Sequence, residues 1–380
     1  MVRSAPHVVV APDKFKGSAT AAEVAAALTA GILAARPDAT VVQTPMADGG
    51  EGTVDAAVAA GFTRVPVPVA GPTGAPVVAD FALRGHEAVV EMAAASGLDL
   101  LPDGVKDPLG ATSRGTGELL AAALDAGATS VVLGVGGSAS TDGGSGLLRA
   151  LGARLEDLDG LEVPDGGGHL ARAARLDLTG LDARLGGVRV VLAADVDHPL
   201  TGPRGAAAVF APQKGASPAD VEALETGLRH WAALVGQATG RSGAESLPGA
   251  GAAGGVGFAA LAVLSAVRRP GVDVVAELVG LASAVDGADL VITGEGSLDA
   301  QSLGGKTPAG VAAVARRAGV STVVVCGRNL LSEREAAELG SVVALSDREP
   351  DPAKSMSHAV ELLRTVGEDV GKELVHEQHA

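Results

Sequence analysis

The chain has 380 residues, a formal net charge of −16 and 47% hydrophobic residues; its mean hydropathy is +0.31 and its pI about 4.9. That length favours two domains and supplies a large core, while the acidity, with no Lys/Arg-rich run, excludes a nucleic-acid-binding face. Aromatics are 2% and Tyr is absent, so the core must be Ala, Val and Leu; one cysteine, Cys326, excludes an internal disulfide and a cysteine zinc site.

In chain order, His7–Ala11 is predicted as a strand, which leaves no room for a signal peptide before it. Ser18 is the candidate cap of a helix over Thr20–Ala35. A strand at Thr40–Thr44 and a helix over Glu51–Ala60, closed by Gly61, follow. From Thr63 to Met92 the period becomes two, with Pro/Gly turns, and reads as antiparallel strands. Gly115–Asp125 is predicted helical, Ser130–Val135 a strand and Asp142–Leu151 a helix. Leu155–Gly168 reads as surface loop, Val188–Ala194 as a fully apolar strand and Ala206–Phe210 as a short one. Pro218–Thr239 is an amphipathic helix. Gly249–Gly257 reads as a loop into a helix ending near Val267. Strands are expected at Asp289–Thr293, Thr322–Cys326 and Val342–Leu345, then a closing helix over Pro352–Leu374. The longest apolar stretch, Gly251–Val267, is short and rich in Gly and Ala, which favours a buried helix over a membrane span.

Strand–helix alternation at both ends, with a mixed middle, implies a doubly wound α/β domain built from both chain ends and a second mixed α/β domain inserted in it. The boundaries fall near 1–65 and 271–380 for the first and 66–270 for the second, and the segment 112–155 is assignable to either. A cytoplasmic enzyme is expected, with no membrane partner.

Ligands of open α/β sheets bind beyond the carboxyl ends of the strands. Five loops in such positions carry an acid beside Gly, Ser or Thr: Pro12–Ser18, Pro45–Thr53, Gly136–Gly144, Asp195–Pro199 and Gly294–Lys306. The last leads into Thr307-Pro308, where Thr307 is the expected cap and Pro308 the first helical residue. A helix start with Lys306 beside it attracts phosphate. Glu295 and Asp299 oppose that unless a divalent cation lies between them and the anion. Gly305-Lys306-Thr307 imitates a Walker A loop, but Ala300 stands where its first glycine belongs. Gly134–Ala139 matches the dinucleotide fingerprint G-x-G-x-x-[GA], yet no strand-end acid follows to bind a ribose. A nicotinamide-dependent oxidoreductase and a non-enzymatic anion-binding protein therefore remain as alternatives.

Ordered blocks across nearly the whole chain resemble the bacterial glycerate kinase family that is neither P-loop nor ribokinase-like. They include APDKFKGS, MADGGEGT, KDPLGATSRGTGEL, GVGGSASTDGGSGLLRALGA, the block from Asp195 to Ala216 and TGEGSLDAQSLGGKTPAGVA. Departures are His198 and Thr141, where Asn is usual, and Arg114, where an aromatic is frequent. The resemblance implies a flavodoxin-like domain from both chain ends and an inserted restriction-endonuclease-like domain. It implies ATP-dependent, Mg²⁺-assisted phosphorylation of D-glycerate in an interdomain cleft, with 2-phosphoglycerate ahead of 3-phosphoglycerate. On that footing Asp195, Asp48 and Lys16 are the catalytic candidates, with Asp195 as base on the expectation that a desolvated flank raises its pKa. Gly136, Gly137, Ser138, Gly294, Glu295, Gly296, Lys306 and Thr307 are the nucleotide-binding candidates. Asp13, Gly49, Gly50, Glu51 and Lys214 are those for the substrate, and Glu295 and Asp299 for Mg²⁺. A homodimer is left open.

Overall fold

Short valine-rich runs become strands because β-branched side chains suit the pleated sheet. In the computed structural model, which describes residues 5–376, they fall in this order: β1 His7–Val10, β2 Thr40–Gln43, β3 Thr63–Ala70, β4 Pro76–Arg84, β5 Glu87–Glu91, β6 Ser130–Gly134, β7 Arg154–Glu156, β8 Arg175–Asp177, β9 Arg189–Ala193, β10 Val267–Arg269, β11 Leu290–Leu298, β12 Ser321–Asn329 and β13 Ser341–Ala344. The chain divides into two compact units. The first takes the chain up to Asp48, Asp55–Ala60 and everything from Val272 onward; the second takes Gly49–Val54 and Gly61–Gly271. The segment 112–155 thus lies in the second unit.

The first unit holds one sheet, ordered β13-β12-β11-β1-β2 and parallel throughout. Counted along that unit, this is the 2-1-3-4-5 order of flavodoxin-type sheets, with its switch point between β1 and β11. Alternate residues face opposite sides. Val8, Val10 and Ile292 pack under the helices Ala21–Ala35 and Ala359–His376. Val9 and Val291 pack under Val275 and Leu281 and under Val311 and Ala315 of the helix Thr307–Ala318. Helices therefore cover both faces, as the doubly wound reading requires.

The second unit has a mixed sheet ordered β10-β9-β6-β5-β4-β3, in which β5, β6, β9 and β10 are parallel and β3–β4–β5 antiparallel. Phe81, Val90, Leu133 and Leu192 of this sheet join Leu119, Leu147, Trp231 and Phe258 in one core. The Trp231 indole N–H donates to the Gly143 carbonyl at 2.9 Å, which satisfies its one polar group.

Several local readings change. Thr20, not Ser18, caps the first helix, in a reciprocal capping box with Glu23. Ala206–Phe210 is helical, as its three alanines favour. The expected surface loop after Leu155 begins on the last residue of β7 and contains the buried Val163, and β7 pairs with β8 in a separate two-stranded sheet. The helix after Gly255 ends at Ala262, and β10 was not foreseen in that stretch. The closing helix breaks at His358 into Pro352–Ser357 and Ala359–His376. β11 continues to Leu298, so most of the expected loop after Thr293 is strand.

Candidate functional site

In each unit the parallel strands end on one edge, and the predicted polar residues collect there. At the first edge, β1 runs into Pro12 and Asp13. The Asp13 N–H donates to the Gly294 carbonyl at 2.8 Å, so the carboxylate sits at the β1–β11 switch point. Its Oδ2 accepts from the Thr307 hydroxyl at 2.6 Å and its Oδ1 from the Lys14 N–H at 2.7 Å. Burial, and secondarily the charge of Asp48, pushes its pKa up to about 6.

Glu295 lies on β11 beyond its pairing with β1, opposite Cys326 of β12. Its carboxylate accepts from the Ser302 hydroxyl. Burial pushes it up to about 7; Asp13 and Asp299 add to that, and Lys306 opposes it. Asp299 caps the short helix Ala300–Leu303 by accepting from the Gln301 N–H at 2.8 Å. Lys306, half-buried, occupies the cap position of the helix Thr307–Ala318 without capping it. Thr307 is spent on Asp13 rather than on its own helix, a correction to the expected cap.

Gly294 and Gly296 are strand residues, not a loop of donors. A Cβ on Gly294 would come within 2.0 Å of the Val325 carbonyl oxygen, and one on Gly296 within 3.3 Å of the Lys16 N. Their lack of side chains lets strand and loop approach closely. Lys16 is exposed. Carboxylates whose pKa values are raised by burial and by one another suit a cation. Among the described residues no group of three or more His, Cys, Asp or Glu could hold a metal by itself. Mg²⁺ normally takes only one or two carboxylates and completes its shell with water and phosphate oxygens, so the donor set fits that ion only together with a nucleotide.

At the edge of the second sheet, the segment Gly49–Val54 lies across the strand ends. A Cβ on Gly49 would meet Ala193, one on Gly134 would come within 2.4 Å of the Gly49 carbonyl oxygen, and one on Gly136 within 2.6 Å of the Gly50 Cα. Glu91, buried at the end of β5, accepts from the Gly52 and Val54 N–H groups, both at 3.1 Å. Glu91 was not anticipated; an acid directly after the apolar run Ala88–Val90 was its signal. Glu51 is exposed. Asp195 follows β9, is half-buried and accepts from the Gly271 N–H at 2.6 Å.

The loop after β6 is organised from beneath. Lys214 is 2% exposed, and its ammonium donates to the Ser138 hydroxyl at 2.8 Å and to the Ser140 carbonyl. Burial pushes its pKa down to about 7, with Asp142 opposing. Asp142, wholly buried, accepts from the Ser113 N–H and hydroxyl at 2.9 and 2.8 Å and from the N–H groups of Gly144 and Gly146 at 3.0 and 3.2 Å. It precedes the helix Ser145–Ala150 rather than lying in its first turn. Burial still raises its pKa.

The dinucleotide reading fails on topology. The strand after the Gly134 fingerprint is β7, outside the parallel sheet, so no acid stands where a ribose would need one. Among the described residues no helix is long and apolar enough to cross a membrane.

Comparison with known proteins gives the family. Residues 8–375 match the model of the glycerate kinase family. A glycerate kinase of Bacillus subtilis (strain 168) is 43% identical over 369 residues, 96% of each chain. A glycerate 2-kinase of Escherichia coli (strain K12) is 45% identical over 314 residues, 82% of each. A crystal structure of a provisionally assigned glycerate kinase 2 from Salmonella typhimurium LT2 superposes with a TM-score of 0.87 at 41% identity, covering 99% of this chain and 100% of that one.

Proposed function

We propose that this chain, which belongs to the glycerate kinase family, transfers the γ-phosphoryl group of ATP to a hydroxyl of D-glycerate, the 2-hydroxyl ahead of the 3-hydroxyl. The observation that carries the reading is the sorting of charge between the two edges: clustered carboxylates at a helix start in one unit, and N–H donors backed by a buried lysine in the other. Phosphoryl transfer needs positioning and charge neutralisation more than covalent chemistry.

In this reading Lys306 and the start of the helix Thr307–Ala318 meet phosphate. Glu295, with Asp13 or Asp299 beside it, would hold Mg²⁺, which supplies positive charge to the phosphate oxygens when bound. The Thr307 hydroxyl keeps the Asp13 carboxylate aimed. Asp195 takes the proton from the substrate hydroxyl, its carboxylate oriented by the Gly271 N–H; Asp48 is the alternative base. Gly49, Gly50, Gly136, Gly137 and Ser138 receive anionic oxygens.

A coupled ADP-release assay with D-glycerate tests the reaction, and ³¹P NMR of the product separates the 2- from the 3-phosphate. Thermal shifts with Mg-ATP, NAD(H) and glycerate separate kinase from oxidoreductase, because a ligand stabilises only the protein that binds it. The expected interdomain cleft stays part of the proposal. X-ray scattering that is identical with and without both ligands would count against its closure.

A further inference from the structure

Lys214 sits at the end of a single turn, Pro212–Lys214, closed by Gly215 at φ +97°. A lysine is rarely buried this fully without a partner or a task. The loop it reaches is pinned on its other side by backbone alone: Leu98 N–H to the Gly137 carbonyl at 2.8 Å, and Ala139 N–H to the Ser96 carbonyl at 2.9 Å. The hydroxyls of Ser140 and Thr141 do not anchor it, for they are buried without a hydrogen-bond partner. Among the described residues, the N–H groups of Gly136, Gly137 and Ser138 also make no hydrogen bond. Gly137 is exposed with φ +66°, a left-handed turn of the kind that gathers successive N–H groups into an anion nest.

We infer that Lys214 is a positioning residue: it holds the Gly136–Ser138 N–H groups in the shape that receives a carboxylate or phosphate, without touching that anion itself. This rests on the phosphoryl-transfer reading above, in which glycerate supplies the carboxylate and ATP the phosphate. Asp142 of the loop is the charge that acts on Lys214; Lys106 lies beside the turn, its stem packing on Gly215 and its ammonium donating to the Gln213 carbonyl at 2.7 Å. With its proton affinity lowered to about 7, the lysine loses charge just above neutrality. Anion binding and protonation then favour one another.

The test measures KM and kcat for glycerate and for ATP separately from pH 6 to 9, in wild type, Lys214→Met, Lys214→Arg and Ser138→Ala, with circular dichroism as the control for folding. In Lys214→Met, the KM of one ligand should rise by about ten-fold or more while kcat changes less; which KM moves identifies the anion. That KM should climb with pH above 7 in wild type and stay flat in the Met and Arg variants. Ser138→Ala, which removes only the held hydroxyl, should raise the same KM and decides the matter if Lys214→Met does not fold. A folded Lys214→Met with unchanged KM values and an unchanged pH profile overturns the inference. A wild type that releases no ADP with glycerate overturns the reaction instead. Thermal shift by inorganic phosphate, expected to be larger in wild type than in Lys214→Met, then still reads the cradle, and equal shifts would sink it.

Discussion

At the edge of the first sheet Asp13, Asp48, Glu295 and Asp299 gather beside a helix start, whereas at the edge of the second, beside Asp195, the loop after β6 offers backbone N–H donors with Lys214 beneath them. Both edges follow the same topological rule, yet they tune charge in opposite directions. At the first, burial and like charge make Asp13 and Glu295 reluctant to ionise, which a bound cation would relieve. Burial makes the lysine of the second reluctant to stay protonated until an anion arrives.

The sharpest way to break this contrast is Asp195→Asn. Loss of a positioned base should cut turnover about 10²–10⁴-fold while Mg-ATP affinity, assigned to the other edge, stays near normal; loss of ATP binding instead would make Asp195 a metal or structural residue. Lys306→Ala should weaken ATP binding about 10–100-fold, as expected for one charge-assisted contact to phosphate, and isothermal titration reads it directly. Unchanged affinity and rate would leave the residue as a helix-start lysine with no part in the chemistry.

Thr307→Val removes the hydroxyl donor of a buried carboxylate and should cost about 1–3 kcal/mol in denaturant unfolding. The helix itself should persist, since Thr307 does not cap it. The pH dependence carries a sign for each edge. Asp13 and Glu295 have folded-state pKa values raised to about 6 and about 7 from 3.8 and 4.5. Folding is therefore penalised from about pH 4 upward, and fully so above about pH 7. With divalent cations chelated, Asp13→Asn/Glu295→Gln should gain on wild type across that window. Lys214 has the reverse profile: below its unfolded value of 10.5 the unfolded chain takes up a proton that the folded one refuses. The stability of Lys214→Met relative to wild type should therefore shrink as pH rises from about 7 to about 10. The smallest effect is expected from Glu51→Ala, within about 0.5 kcal/mol of wild-type stability because the residue is exposed; a larger loss would give Glu51 a structural role at the second edge.

Much of this was legible in the sequence because strand–helix alternation dominates at both chain ends, and because acid-plus-glycine loops recur after strands. Pro218–Thr239 was read to the residue, since Ser217, Pro218 and Asp220 announce its start and Gly240 its end. What escaped depends on distant pairing. Gly294-Glu295-Gly296-Ser297 looks like a loop until β12 is laid beside it, for nothing local says that Val325 and Cys326 will supply the partner. The three residues of β10 are invisible for the same reason. Lys214 stands in the sequence as a substrate candidate in a Pro/Gly loop with no sign of its burial, because burial is a property of what folds over a residue, here Ser138 and Ser140, which lie more than seventy positions earlier.

The helices Ala21–Ala35 and Ala359–His376 meet through glycine: a Cβ on Gly31 would come within 2.0 Å of the Arg364 carbonyl oxygen, and one on Gly367 within 2.3 Å of the Leu28 carbonyl oxygen. The same unit pairs Val8 with Leu290 in its central strands. On the ribosome, then, the first strands and helix emerge long before anything that can complete their sheet. The contiguous stretch from Gly61 to Gly271 is free to fold while they wait. Their valine edges must stay out of trouble for most of translation, and such non-local closure is intrinsically slow. A glycine-to-alanine change at the helix crossing would lengthen that wait, so its first symptom should be aggregation during expression, ahead of any defect in the enzyme that does fold.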